Sequence, residues 1–186
     1  QNIETKALVR TSNSFPLKGE RLEVVTAQVT QEETLEGLFD DIDVVISTIG
    51  ITRQKDGLTY MDVDYMANMH LLDEAIAGNV KKFIYVSVLN GENLKHLKIC
   101  EAKEAFCDYL TSSSIDYCIV RPNGFFSDMG DFLQMAKRGS VFLFGDGEYL
   151  LNPIHGEDLA KVIVEAIDQN KREINVGGPD ILSQNE

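Results

Sequence analysis

Cationic and hydroxyl side chains follow apolar runs of the sequence, at points where β-strands would end. Arg10, Thr11 and Ser12 follow one such run, and Ser87 closes another. Lys103 comes 16 residues after Ser87, inside a stretch with helical spacing. Because a guanidinium can clasp a phosphate through charge-assisted hydrogen bonds, Arg10 is a candidate residue for binding a phosphorylated ligand.

Short apolar runs alternate with longer amphipathic stretches along the whole chain. The runs are rich in Val and Ile and do not alternate with polar residues, which is typical of buried parallel strands. The pattern predicts strands at 5–9, 22–25, 43–48, 83–87, 117–120 and 174–176, with a further pair around 141–143 and 150–153. It predicts helices at 32–39, 62–77, 94–111, 130–137 and 157–168. This order predicts a single α/β domain, 1–186, built on a doubly wound parallel sheet.

The carboxyl ends of parallel strands share one edge of a sheet, and open α/β sheets bind ligands at that edge. Where the ligand is a dinucleotide, an acidic residue at the tip of the second strand hydrogen-bonds the ribose of NAD, whereas an arginine accommodates the extra phosphate of NADP. Arg10 therefore favours NADP, with NAD as the alternative. A solvated arginine at a strand end would give the same local sequence.

The composition excludes several classes of protein. The 186 residues include 17 Lys and Arg against 30 Asp and Glu, and the net charge of −13 repels nucleic acid. No stretch approaches the roughly 18 consecutive apolar residues that a membrane helix requires. Cys100, Cys107 and Cys118 lack the spacing of a metal site and fit reduced thiols better than a disulfide framework. We therefore expect a cytoplasmic protein with a small-molecule substrate, no metal, no membrane span and no nucleic-acid partner.

Taken together, these segments resemble the atypical branch of the short-chain dehydrogenase/reductase superfamily, especially its NmrA-like and complex I accessory-subunit-like members. The resemblance covers nearly the whole chain and rests on the order and spacing of 7–10, 43–50, 80–87, Lys103, 121–126 and 152–160. It implies a doubly wound Rossmann sheet that binds NAD(P). It also implies a small substrate region near the carboxyl end, at about 123–155.

The resemblance implies a role for each matching residue. At the adenosine end it implies phosphate contacts from Arg10, Thr11 and Ser12, beside a loop formed by Gln28 and Val29, although Asp is commoner than Gln at position 28. The residues matched at the nicotinamide half are the loop Thr48, Ile49 and Gly50, the active-site serine Ser87, the ribose-binding lysine Lys103, and the carboxamide-facing Pro122, Asn123, Gly124 and Phe125.

The first departure from the family pattern concerns the proton donor. Classical members of the superfamily have a tyrosine four residues before the lysine, whose charge lowers the pKa of the phenol so that it can donate a proton near neutral pH, whereas many atypical members lack it. Here that position is Ile99, which has no proton to give, so reduction of a carbonyl with this residue as the acid is excluded. The candidate replacements are Ser87, Tyr60 and Tyr65, with packing at the start of a helix as the alternative role of both tyrosines.

The second departure is that the sequence lacks the G-x-x-G-x-x-G fingerprint, which holds the pyrophosphate from the first strand and helix. In the usual order that strand lies between the second and the fourth, so its absence predicts a slot roughly 10 Å wide in the sheet. We expect the natural protein to have about 25–30 more residues before Gln1, and a chain beginning at Gln1 to bind the cofactor poorly. The ending 183–186 resembles the first turn of a helix, so we expect truncation at both ends.

The sequence thus predicts an NAD(P)-dependent oxidoreductase that transfers hydride to or from a small apolar substrate. Ser87 would bond the substrate oxygen or a water, and phenylalanines after residue 124 would line an apolar pocket or fill the core. The alternative is a non-catalytic NAD(P) sensor or assembly subunit, which Ile99 favours. A sugar-nucleotide epimerase or dehydratase is disfavoured because those relatives normally retain the tyrosine.

Overall fold

The computed structural model describes residues 3–11, 18–51, 57–143 and 145–185 of the chain. The strands are β1 (Thr5–Val9), β2 (Leu22–Thr26), β3 (Val44–Ser47), β4 (Lys82–Val86), β5 (Asp116–Pro122), β6 (Leu150–Leu151), β7 (Glu173–Val176) and β8 (Leu182–Ser183). The α-helices are α1 (Asn68–Ala77), α2 (Lys98–Ser112), α3 (Gly130–Lys137) and α4 (Gly156–Ala166). A π-helical segment, Met61–Ala67, leads directly into α1.

The described strands form a mainly parallel arrangement. β1 pairs with β2, and β3, β4, β5 and β7 form a four-stranded sheet in that order. Every one of these pairings is parallel, whereas β6 and β8 form a short antiparallel pair. The parallel α/β fold expected from the sequence is therefore confirmed.

The four-stranded sheet is covered by helices on both faces. All five residues of β4 are buried. Phe83 and Tyr85 pack against α1 and α2, while Ile84 and Val86 pack against α4 on the opposite face. Because both faces of the strand are buried, its sequence is continuously apolar after Lys82.

The sheet is interrupted between β1 and β3. β1 is hydrogen-bonded to β2 and β3 to β4, and no strand of the described residues lies between β1 and β3. A cavity of about 280 Å³ lies here, lined by residues 6–8 of β1 and by the whole of β3. Ile46, which lines this cavity, is 42% exposed. The slot expected from the sequence is therefore present.

The helix predicted at 32–39 is wrong. This stretch forms a 3-10 turn, Glu32–Thr34, followed by irregular turns. Gly37 takes a left-handed φ of 71°, which an α-helix does not accommodate. The Thr34 hydroxyl donates to the backbone carbonyl of Gln28 at 2.9 Å, which ties the turn to the end of β2 instead.

Two further expectations near the carboxyl end are wrong. Residues 141–143 form no strand; they are exposed, and no described strand pairs with them. Leu182–Ser183 pairs with β6, so this part of the chain is extended and does not begin a helix. Its hydrogen bonds come from a neighbouring strand, which a local pattern does not reveal.

Several features bear on the expected class of protein. Among the residues that the structure describes, no helix is long and apolar enough to cross a membrane. The same residues contain no group of three or more His, Cys, Asp or Glu side chains that could hold a metal ion. Cys100, Cys107 and Cys118 are buried free thiols, and burial raises the pKa of each, so they are poor nucleophiles near neutral pH.

Candidate functional site

The carboxyl ends of the parallel strands bring most of the candidate residues to one edge. Val9 of β1 lies opposite Thr26 of β2, so Arg10 follows at the same level as the loop after β2. In the other sheet, β3 ends at Ser47 and β4 at Val86, and the loops after them leave on the same side. This is the edge at which open α/β sheets bind ligands.

Lys103 reaches this edge from α2 and meets a buried carboxylate. Its Nζ atom lies 3.0 Å from Oδ1 of Asp64, and the side chains are 13% and 0% exposed respectively. The Nζ atom is also 3.5 Å from the hydroxyl of Tyr85 and 5.4 Å from the centre of the Tyr85 ring. Lys103 is therefore a shielded ammonium with a counter-charge and an aromatic neighbour.

The loop 48–51 lies directly against this ion pair. Oδ2 of Asp64 accepts a hydrogen bond from the backbone N–H of Ile51 at 3.2 Å. A Cβ atom on Gly50 would lie 2.6 Å from Oδ1 of Asp64 and 3.0 Å from Nζ of Lys103. Glycine is therefore required at position 50 for the loop to approach the two charges this closely.

Asn68, the first residue of α1 after the π-helical segment, makes further contacts with this loop. The Asn68 side chain donates to the backbone carbonyl of Ile49 at 3.4 Å and to that of Asp64 at 3.0 Å, and it accepts from the Ser47 hydroxyl at 2.5 Å. Asp64 and Asn68 thus fix the loop from the same helix. A wide helical turn at such a position is a frequent feature of functional sites.

Ser87 lies in a different, buried network. Its side chain accepts from Nη1 of Arg121 at 3.4 Å and from the Cys107 thiol at 3.6 Å, and donates to Oε1 of Glu104 at 3.3 Å. Arg121 and Glu104 form a bidentate pair at 2.5 and 3.1 Å. Ser87 is 4% exposed, so its hydroxyl is buried, whereas the sequence analysis expected it to bond the substrate oxygen or a water.

The charges of this network are stabilised by one another. Burial alone would lower the pKa of Arg121, but hydrogen bonding to Glu104 and other favourable interactions outweigh it and raise that pKa above its ordinary value. For Cys107, burial raises the pKa to about 11 although the hydrogen bond to Ser87 opposes this. Ser87, Glu104 and Arg121 therefore join β4, α2 and β5 beneath the edge, and Ser87 and Lys103 are not brought into contact.

The adenosine end of the candidate site is more exposed. Arg10 and Thr11 are exposed beyond β1, and Ser12 lies outside the described residues. The backbone carbonyl of the half-buried Gln28 accepts a hydrogen bond from the Thr34 hydroxyl at 2.9 Å, and the backbone N–H of Gln28 donates to the same hydroxyl at 3.0 Å. Val29, also half-buried, has its carbonyl oxygen 3.4 Å from Nδ1 of His70. The loop after β2 is thus held by its own short turn.

The turn after β5 is open on one side. Pro122 is buried at the end of the strand, whereas Asn123 is exposed and its side chain donates to that of Asn152. A Cβ atom on Gly124 would have no neighbour within 4 Å, and the next residue, Phe125, is 37% exposed. This turn therefore offers an apolar ring next to free space.

The candidate proton donors lie beside α1. Tyr60 and Tyr65 are half-buried, and Tyr65 packs against the core. Ile99, in the position of the missing tyrosine, is half-buried on α2. Tyr85, which no local sequence pattern marks, contacts Lys103 through its hydroxyl; burial raises the pKa of Tyr85 well above the ordinary value, so this phenol stays protonated.

A second cavity, of about 530 Å³, lies at the opposite edge of the molecule. It is lined by the start of β1 and β2 and by residues 40–42. Because it faces the amino ends of the strands, it is separate from the edge at which sheets of this kind bind ligands.

A family of proteins described as NAD(P)H-binding matches residues 1–170 of the sequence. The chain belongs to this NAD(P)H-binding family. The match and the doubly wound sheet confirm the expected membership of an NAD(P)-binding Rossmann family.

Curated relatives have two different names. The chain is 26% identical over 172 residues to the photosystem II assembly factor Ycf39 of Guillardia theta, covering 91% of this chain and 54% of that protein. It is 30% identical over 166 residues to the chloroplastic divinyl chlorophyllide a 8-vinyl-reductase of Arabidopsis thaliana, covering 83% of this chain and 39% of that protein. The chain thus spans about half of the first relative's length and less of the second.

Solved structures share the fold. The chain superposes on the Bordetella bronchiseptica enzyme WbmH in complex with NAD+ with a TM-score of 0.79 at 15% identity, covering 98% of this chain and 69% of that one. The chain superposes on the UDP-glucose 4-epimerase of Thermotoga maritima with a TM-score of 0.72 at 19% identity, covering 97% of this chain and 71% of that one. At sequence identities of 15% and 19%, the structural similarity shows a shared fold and nothing further.

The residues at the carboxyl edge fit the two ends of a dinucleotide. Arg10 carries a cation suited to a phosphate beyond β1, and Lys103 carries one suited to ribose hydroxyls beyond β3. Thr48 and Gly50 are exposed in the loop after β3, and Gly124 has open space where a side chain would stand. The donor set and the room beside it are therefore compatible with NAD(P).

Proposed function

We propose that the protein is an NAD(P)-dependent oxidoreductase of the atypical short-chain type that prefers NADP(H), works in the cytoplasm and transfers hydride to or from a small apolar substrate. The observation that carries this proposal is Lys103. Its shielded ammonium lies against the loop 48–51 and contacts Asp64 through an ion pair and Tyr85 through one long hydrogen bond and the face of its ring. Since an ammonium has three N–H donors, it can also donate to a bound ribose.

In this proposal the chain's own residues bind and orient the cofactor, and the cofactor when bound supplies or accepts the hydride. Lys103 would hold the nicotinamide ribose and Arg10 the extra phosphate of NADP. Thr48, Ile49 and Gly50 would lie along the nicotinamide half, with Pro122, Asn123, Gly124 and Phe125 at the carboxamide. Thr11, Ser12, Gln28 and Val29 would complete the adenosine end.

Exposed apolar side chains in the expected substrate region favour an apolar substrate. Large apolar side chains are exposed between residues 125 and 150, and Phe126, Leu133, Phe142 and Leu150 are each more than half exposed. Phe126 and Phe142 are too exposed to fill the core, whereas Phe132 is half-buried and Phe144 lies outside the described residues. Because Ser87 is occupied by Glu104 and Arg121, we assign the proton of the reaction to solvent at the open side of the turn after β5.

The test is a turnover assay with the protein made from its complete gene. NADPH and NADH are titrated by nicotinamide fluorescence, and steady-state oxidation is then measured with apolar quinones, enones and aldehydes. The proposal predicts turnover with at least one of them, and a loss of about tenfold or more in Lys103→Met, since a charge-assisted hydrogen bond contributes about 1.5–3 kcal/mol. Lys98→Met, at the exposed start of the same helix, is the matched control.

A second candidate function is a non-catalytic NAD(P) sensor or assembly subunit. It is favoured by Ile99 in the position of the tyrosine and by the burial of Ser87, and relatives named as photosystem II assembly factors are compatible with it. Tight binding of NADPH without turnover across the whole panel would support this candidate against the first. Absence of any dinucleotide binding would contradict both.

We further propose that a strand and helix of about 25–30 residues, preceding Gln1 in the natural protein, fill the slot between β1 and β3. The cavity between these strands supports this, because a parallel strand there would pair with both free edges. The test compares NADPH affinity of the chain beginning at Gln1 with that of the complete gene product. Equal affinities would contradict the proposal.

A further inference from the structure

We propose that Asp64 is a positioning residue that holds the Lys103 ammonium and balances its charge, so that the site binds the oxidised, positively charged nicotinamide as well as the neutral reduced one. This inference rests on the proposed function, because it takes Lys103 as the residue beside the nicotinamide ribose. Asp64 itself touches neither cofactor nor substrate in this account and acts through Lys103.

The burial of Asp64 carries the first step. Its side chain is 0% exposed, and the Lys103 ammonium 3.0 Å from Oδ1 is the cation paired with it. A buried carboxylate without a counter-charge is strongly destabilising, so the two groups depend on each other. An ammonium has three N–H donors, so after the contacts with Asp64 and the Tyr85 hydroxyl Lys103 retains one donor for a ligand.

The loop 48–51 is held by the same carboxylate. The same carboxylate accepts the N–H of Ile51 at 3.2 Å, and the backbone at Gly50 has room for no side chain against it. Asp64 therefore fixes the ammonium and the loop 48–51 with its two oxygens. A residue that only packed the helix would not need to contact both.

The third step is the charge of the ligand. The nicotinamide ring carries one positive charge when oxidised and none when reduced. An unpaired ammonium in a shielded site repels the oxidised ring, whereas an ammonium paired with a carboxylate contributes little net charge. The Asp64–Lys103 pair thus sets the ratio between the dissociation constants of NADP+ and NADPH.

The test measures both dissociation constants in Asp64→Asn, Lys103→Met and the double variant. We expect the ratio of the NADP+ constant to the NADPH constant to rise about tenfold in Asp64→Asn, the effect of one moderately screened charge interaction. The same ratio of dissociation constants should fall in Lys103→Met, where the Asp64 carboxylate has lost its paired ammonium. In the double variant the ratio should return close to the wild-type value. The control is Asp62→Asn, on the same helix, where the carboxylate instead bonds Thr59 at the surface.

The opposite signs distinguish positioning from a merely structural role. A structural role would weaken both forms of the cofactor by the same factor in every variant and would overturn the inference while leaving the proposed function intact. If Asp64→Asn does not fold, the comparison of Lys103→Met with the double variant decides, because the double variant buries no charge at this place. Wild-type protein that binds neither form would overturn the proposed function and this inference together.

Discussion

Gly50 is the residue at which the backbone meets the two charges of the candidate site. A methyl group there would lie within 3.0 Å of both Asp64 and Lys103. Real Cβ atoms do not approach another atom as closely as the 2.6 Å to Oδ1 of Asp64, so the ion pair or the loop must shift to make room. The position therefore couples the geometry of the loop to that of the ammonium.

We predict that Gly50→Ala destabilises the fold by about 1–3 kcal/mol, as overpacking of a tight site does, and weakens NADPH binding about tenfold. Thermal unfolding and a fluorescence titration measure the two effects. Gly130→Ala is the control, because a Cβ atom there meets nothing within 4 Å. Equal behaviour of the two variants would contradict the role given to Gly50.

Arg10 is predicted to determine the choice between the two dinucleotides. Arg10→Ala should weaken NADPH by about tenfold or more and NADH far less, because NADH lacks the phosphate that the guanidinium would bind. Parallel titrations with both cofactors measure the difference. Arg21→Ala, at the other edge beside β2, should change neither; equal losses for both cofactors in Arg10→Ala would remove the NADP preference.

Sequence reasoning found Lys103 and Gly50 but not Asp64. The first two occupy positions that the resemblance marks, whereas Asp64 reads locally as one more acidic residue near a helix start. Its burial depends on the π-helical turn 61–67 and on a lysine 39 residues later. Neither is contained in a local pattern, so this contact could be found in three dimensions alone.

At the scale of elements, a buried lysine joins β4 to the end of α4. The Lys82 ammonium donates to the backbone carbonyls of Ala166, Ile167 and Gln169 at 2.7, 3.2 and 2.5 Å. These carbonyls lie at the negative end of the helix dipole, where a cation is stabilising. The lysine thus fixes α4 on the face of the sheet opposite α1 and α2.

We predict that Lys82→Met lowers the stability of the fold by about 1–3 kcal/mol, because buried carbonyls lose their donor. For a chain of this size each kcal/mol corresponds to about 2–4 °C in Tm. The control is Lys81→Met, which removes a surface ion pair with Asp43 and should leave Tm nearly unchanged. A Tm equal to that of the wild type in both variants would contradict the capping role.

Elements that a local sequence pattern defines were predicted correctly, whereas elements that depend on distant contacts were not. β1 and α3 have the predicted bounds, since a local run or period defines them. The stretch 32–39 has acidic residues suited to a helix start, yet Gly37 and the Thr34 side chain favour turns. Leu182–Ser183 is extended because it pairs with β6, a partner some thirty residues earlier in the chain.

At the scale of the whole molecule, the burial of thiols makes the stability of the fold depend on pH in the alkaline range. Burial raises the pKa of Cys107 from 9.0 to about 11. A thiol whose pKa is higher in the folded state contributes stability below pH 9, and this contribution is lost as the pH rises towards 11. The unfolded chain, with its ordinary thiol, is favoured in that range.

We therefore predict that the destabilisation caused by Cys107→Ala is largest below pH 9 and shrinks by about 1–2 kcal/mol between pH 9 and 11. The difference in free energy of unfolding between wild type and variant, measured with urea at several pH values, isolates this group from others that titrate there. A difference that does not depend on pH would show that the thiol is not shielded in the folded state.

The parallel strands give the molecule two unlike edges. At the carboxyl edge lie Arg10, the loop 48–51 and Lys103, whereas the amino edge carries a cavity lined by the beginnings of β1 and β2. We propose that a dinucleotide lies across the carboxyl edge. In a chain with a net charge of −13, the two cations there provide the local attraction for its phosphates.

Hydrogen–deuterium exchange with and without NADPH shows where on the molecule the dinucleotide binds. We expect slower exchange of the backbone amides at 10–11 and 48–51 when NADPH is added, and unchanged exchange at 20–23 and 40–42 on the amino edge. Protection confined to the amino edge, or no protection at 48–51 under saturating NADPH, would contradict this proposal.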